Sequence, residues 1–127
     1  MSSTNTKKAP IYNYRSGGWV GFDLDGTLAV YDEWRGATHI GEPIMPNVKR
    51  AQRYLQDGIE VRIFTARADG GLDLEEVTNA IQDWTEKHIG RRLAVTNRKD
   101  FGMIRLYDDR AIQVEFNTGR RVDGRED

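Results

Sequence analysis

The stretch Trp19-Val20-Gly21-Phe22-Asp23-Leu24-Asp25-Gly26-Thr27-Leu28 decides how the rest of the chain is read. It opens on an apolar run, as a buried strand requires, and passes straight into Asp-Gly, a pair that turns the backbone. Asp23 and Asp25 therefore stand at a strand's carboxyl end. Being two residues apart on extended backbone, their side chains face the same way.

Downstream, the pattern alternates between helix and strand. Pro46 opens a helix with Val48, Ala51, Gln52 and Leu55 on one side, and Gly58 closes it. Ile59 to Phe64 alternates as a second strand and delivers Thr65. After Gly70-Gly71, Asp73 followed by Glu76 predicts a capping-box start for a helix that places Leu74, Val77, Ile81 and Trp84 on one face, read as core, with Gly90 as its stop. Leu93 to Thr96 and Met103 to Tyr107 read as third and fourth strands, and Ile112 to Phe116 as a fifth at the edge. Strands alternating with helices predict an α/β domain on a parallel sheet of about five strands. In such sheets ligands gather beyond the carboxyl ends of the strands, where Asp23, Thr65, Lys99 and Asp108-Asp109 all fall.

The chain has 127 residues, which suits one domain, and a formal net charge of −1 with both signs interspersed. No long basic track marks it as a duplex binder. Cysteine is absent, so disulfide and thiolate chemistry are excluded and a reducing, cytoplasmic setting is expected. Residues 1–16 read as a flexible polar leader without a signal-peptide core, 17–118 as the folded domain and 119–127 as a polar tail; no apolar run is long enough to cross a membrane.

The residues at the strand ends match what phosphoryl transfer needs: an in-line nucleophile, neutralised oxygens and a proton for the leaving group. One of Asp23 and Asp25 can attack while the other moves protons. Mg²⁺ prefers hard oxygens, which Asp23, Asp25, Asp108 and Asp109 supply. Gly26 lets the backbone turn close to a phosphate, and the Thr65 hydroxyl with backbone N–H groups at Leu24, Gly26 and Ala66 can bind its oxygens. Lys99 adds a compact positive charge.

In order, Asp23-Leu24-Asp25-Gly26-Thr27-Leu28, Phe64-Thr65-Ala66-Arg67, Lys99 and Tyr107-Asp108-Asp109-Arg110-Ala111 resemble the four motifs of the haloacid dehalogenase (HAD) superfamily over most of the chain. The set is similar to small phage-type members and to the phosphatase domain of polynucleotide kinase-phosphatases. The resemblance implies a three-layer Rossmann-like fold, a Mg²⁺ cofactor and an aspartyl-phosphate intermediate. Position by position it implies Asp23 as nucleophile and metal ligand, and Asp25 as general acid/base binding metal through its carbonyl. Thr65 would bind phosphate and Lys99 would fill the third motif, with Arg98 beside it as the competing cation. Of the acidic pair it implies Asp109 as the direct ligand and Asp108 as the partner of Lys99. No interval leaves room for a large cap, so the loop Ala29 to Met45, with Tyr31, Trp34, Arg35 and His39, is the only local lid. Capless members resemble enzymes with large substrates or ones roofed by a neighbouring subunit, which leaves a homo-oligomer open.

The function expected from all this is a Mg²⁺-dependent phosphomonoesterase acting on nucleotides or phosphorylated nucleic-acid ends. A sugar-phosphate phosphatase is the alternative within the class. A non-catalytic phosphoacceptor resembling a response-regulator receiver is the alternative outside it. The order of motifs disfavours the receiver, because its phosphorylated Asp ends a later strand, whereas here the later strand ends in Thr65. No P-loop is present, so kinase activity is not expected.

Overall fold

The computed structural model of the chain describes residues 17–71 and 73–126; the leader 1–16 lies outside them. In chain order the elements are β1 (Trp19–Phe22), α1 (Met45–Gln56), β2 (Glu60–Phe64), α2 (Leu74–His88), β3 (Ala94–Thr96) and β4 (Met103–Tyr107). The strands form one sheet in the order β3-β2-β1-β4, and every pairing is parallel. Two helical crossovers carry the chain from β1 to β2 to β3. The chain then returns past both to place β4 on the far side of β1. The strand order therefore reverses between β1 and β4, the position where open α/β sheets bind ligands.

Val20, Phe22, Val61 and Ile63 pack with Val48 and Ala51 of α1 and with Val77, Ile81 and Trp84 of α2 in one buried cluster. Each such side chain contributes about 1.5–3 kcal/mol when fully buried. Phe22 also stacks on Tyr107, ring centroids 4.5 Å apart, which ties β1 to the edge strand. Both described helices thus cover the same face of the sheet. On the other face Trp19 is closed over by the Arg62 guanidinium, 4.6 Å from the ring centre, and by its Nε1 donating to Asp100 Oδ1 at 2.8 Å.

Four expectations are corrected. The described sheet has four strands, not about five: Ile112 to Phe116 makes only an isolated bridge, Val114 to Arg121, within a small turn where Glu115 N donates to Arg120 O at 2.6 Å. That segment pairs with its own continuation, so it is unavailable to the sheet edge. The described elements form two layers, not three, because the β3 to β4 return carries no helix. The capping box at Asp73 is not formed, since no side chain caps α2 there. Leu74 is 37 % exposed rather than core, because in the first turn of α2 it precedes the stripe that reaches the sheet.

Candidate phosphate and metal site

β1 ends at Phe22, and Asp23 N donates to Tyr107 O at 2.8 Å, so the chain leaves the sheet still held against β4. The Leu24 carbonyl then accepts the N–H groups of Thr27, Leu28 and Ala29, closing a tight turn. Gly26 sits in that turn at φ +86°, and a Cβ there would lie 2.8 Å from Asp109 Oδ2. Only glycine satisfies both the left-handed backbone and the approach of that carboxylate.

β1 and β4 together gather three acids. Asp23, Asp108 and Asp109 each offer an oxygen within 4.8 Å of the others, close enough to share a cation. Thr27, buried four residues after Asp23, organises them. Its Oγ1 donates to Asp109 Oδ1 at 2.9 Å, accepts from Asp109 N at 3.0 Å and lies 3.4 Å from Asp23 Oδ2. Burial first, then the hydrogen bond with Asp109 and the charges of Asp108 and Asp109, push the Asp23 carboxyl up to about 7, against a smaller lowering by the Leu24 backbone. At Asp109 burial also acts upward, but the hydrogen bonds with Thr27 and Asp23 outweigh it and the carboxyl falls below its ordinary value. Three crowded hard oxygens of this kind could hold a metal cation. Both members of the Asp108-Asp109 pair belong to this cluster.

Asp25 does not join them. Its carboxylate is clamped by Arg67, Nε donating to Oδ2 at 2.9 Å and Nη2 to Oδ1 at 2.8 Å. Arg67 is only 6 % exposed at its side chain; its Nη1 donates to Ala37 O in the lid at 2.8 Å, and its guanidinium lies 5.0 Å from the Trp34 ring centre. One arginine thus holds the turn after β1, the turn after β2 and the lid together. Buried Thr65 follows β2. Its Oγ1 accepts the Arg67 N–H at 3.1 Å, which leaves the hydroxyl proton to donate elsewhere.

Asp23, Asp25, Gly26, Thr65, Ala66 and Arg67 line one cleft of about 870 Å³ at the carboxyl ends of the strands, together with Asp109, Arg110, Tyr31 and Trp34, whereas Asp108 and Thr27 are not among its lining residues. Leu24 is fully buried, and its backbone bonds to the Asp23 carboxylate. Lys99 is not in the cleft. It is exposed in the loop after β3, forms no ion pair with Asp108 among the described residues, and β3 is separated from β1 by β2. Of the lid residues, Tyr31 and Trp34 reach the cleft, Arg35 pairs with Asp32 at 2.8 Å, and His39 lines an adjoining hollow.

The sequence reading assigned no role to Thr27 or Arg67. Each had one signal: a hydroxyl one turn beyond the first acid, and a cation two residues beyond Thr65. No described helix is long and apolar enough to cross a membrane. Comparison with protein-family models, with curated proteins and with solved structures gave no match.

Proposed function

We propose that the chain is a Mg²⁺-dependent phosphomonoesterase that works through a phosphorylated Asp23. The observation that carries this reading is the meeting of Asp23, Asp108 and Asp109 within 4.8 Å beside Thr65 and the glycine turn, in a cleft wide enough for a phosphate ester. The ordered resemblance to the HAD motifs supports it. Bound Mg²⁺, held by the carboxylates of Asp23, Asp108 and Asp109, would supply the charge that lets a carboxylate approach a phosphate dianion.

An Asp23 oxygen attacks phosphorus as the ester P–O bond breaks, and the departing oxygen takes a proton from Asp25. Asp25 then removes a proton from water, whose oxygen attacks the same phosphorus; inorganic phosphate leaves and the Asp23 carboxylate returns. Thr65 Oγ1 and the backbone N–H groups of the two turns bind the non-bridging oxygens. As the pair stands, each Asp25 oxygen accepts a hydrogen bond from Arg67. A phosphate dianion in the cleft is a partner to which Arg67 can turn, and that exchange would release Asp25 as substrate arrives.

The open cleft with Tyr31 and Trp34 at one side favours nucleotides or phosphorylated nucleic-acid ends as substrates. The test is phosphate release with Mg²⁺ from 5′- and 3′-phosphorylated oligonucleotides, nucleotides and sugar phosphates. Asp23→Asn is expected to reduce turnover at least about 10³-fold; equal turnover by the variant would remove the proposal. A phosphorylated native protein that persists for hours would instead make the chain a phosphoacceptor.

A further inference from the structure

A second hollow, of about 280 Å³, lies between α1 and the edge strand β4, lined by Arg50, Arg53, Tyr54, Asp57, Arg105 and Tyr107. Arginines on the protein surface need no special role when they pair with neighbouring acids, as Arg35, Arg62, Arg92 and Arg120 do. Arg50 and Arg53 are different. Neither pairs with a carboxylate among the described residues, and with Asp57 as the sole acid the lining is net positive.

The floor adds directed donors. Tyr54 Oη and Tyr107 Oη are 2.9 Å apart, and Arg105 Nη1 donates to Tyr54 Oη at 3.3 Å. Two phenols carry two protons and their mutual bond uses one, so one hydroxyl proton remains for a ligand. Burial, the largest influence on Tyr107, followed by its bond with Tyr54, raises its phenol above the ordinary value, which keeps the proton in place. Guanidinium groups around a phenolic donor suit a phosphate oxyanion.

The hollow is also wired to the cleft. Asn47 Nδ2 donates to the carbonyl of Thr27, the residue that holds Asp109, and Arg50 Nη1 donates to Asn47 Oδ1 at 2.8 Å. Tyr107 immediately precedes the acidic pair. Few cations, one hollow and a net charge of −1 suit a single strand rather than a duplex.

We propose that the hollow of Arg50, Arg53, Tyr54, Arg105 and Tyr107 is a second phosphate site, which takes an internal phosphodiester of a single nucleic-acid strand whose terminal phosphate lies in the carboxylate cleft. The placement of the terminal phosphate rests on the phosphomonoesterase reading; the hollow's affinity for a strand does not. The substrate class is then an oligonucleotide end rather than a free nucleotide or sugar phosphate.

Two measurements test it on the full chain. In the first, a fluorescently labelled oligo(dT) hexamer without a terminal phosphate is titrated at several salt concentrations. Each strand phosphate contact contributes about 0.7 to the slope of log affinity against log salt, so Arg53→Gln should flatten the slope by that amount and Arg50→Gln/Arg53→Gln by about twice it. Glutamine preserves helix propensity, and an unchanged melting temperature establishes that the variants fold; Tyr54→Phe, which keeps the packing, should weaken binding severalfold. In the second, kcat/KM for phosphate release should climb about tenfold from a phosphorylated mononucleotide to a trimer and then level, with the climb lost in Arg53→Gln relative to phenyl phosphate.

An unchanged salt slope in Arg53→Gln, or equal kcat/KM at all lengths, overturns the proposal. So does Arg53-dependent binding of inorganic phosphate without binding of the hexamer, which would make the hollow a free-anion site. Arg53-dependent hexamer binding with no phosphate released from any ester supports the hollow and defeats the phosphatase reading. Release from small esters without strand binding does the reverse.

Discussion

The two walls of the cleft handle negative charge in opposite ways. On the β1–β4 wall Asp23, Asp108 and Asp109 crowd within 4.8 Å with only a buried threonine among them. On the wall formed by β2 and the lid, Asp25 meets a guanidinium through two hydrogen bonds. The two acids of one Asp-x-Asp thus have separate surroundings, although they leave the same strand. The first wall gathers more negative charge than the neighbouring Arg110 offsets, whereas the second neutralises its acid with its own arginine. That asymmetry divides the proposed labour between attack at Asp23 and proton transfer at Asp25.

Breaking the internally neutral wall should have the largest effect. Arg67→Ala leaves Asp25 without its partner and frees the lid at Ala37, so we expect a loss of about 3–5 kcal/mol in chemical denaturation and faster proteolysis between residues 29 and 45. Lysine cannot form the paired contact, so Arg67→Lys should recover little. A variant as stable as the native chain would show that the two walls are not held together by this arginine.

The crowded wall should announce itself in the pH dependence of stability. Asp23 titrates at about 7 in the folded chain against an ordinary value of 3.8. Between those values the folded state holds the extra proton, so stability without added metal should fall as pH rises from about 4 to about 7, and the contribution should be constant below that interval. Asp23→Asn should remove the slope and stabilise the metal-free chain by about 1–3 kcal/mol at pH 8, while saturating Mg²⁺ should flatten it in the native chain. A native slope unchanged by both would mean that Asp23 is not the group that sets it.

A smaller effect sharpens the geometry of the same wall. Gly26→Ala places a methyl group 2.8 Å from Asp109 Oδ2 at a positive φ. It should cost about 1 kcal/mol in stability and weaken Mg²⁺ binding, measured by calorimetry, more than it weakens folding. Equal losses in both would reduce Gly26 to a turn residue.

Much of the frame was legible because burial has a period. The apolar run of Trp19 to Leu24, the spacing of Val48 and Ala51, and that of Val77, Ile81 and Trp84 mark which sides must leave water, and the structure buries them accordingly. Asp23, Thr65 and Asp108-Asp109 followed because each ends such a strand. Ile112 to Phe116 misled for a related reason. Alternation shows that a segment can be a strand but not which edge it will pair with, and here it turned back on residues 120–122. Lys99 misled because position after a strand does not say how far that strand lies from β1.

By itself, then, the sequence determined the α/β class, the parallel sheet and the acids at its carboxyl ends, since these depend on local patterning and on turn chemistry carried by neighbouring residues. Only the tertiary structure decided that Arg67 and Arg110, and not Lys99, line the cleft, that Thr27 binds Asp109 from 82 positions away, and that Asp25 stands apart from the other acids. Side chains that meet across such intervals do so because strand order and register bring them together, and neither quantity is written in any one stretch of the chain.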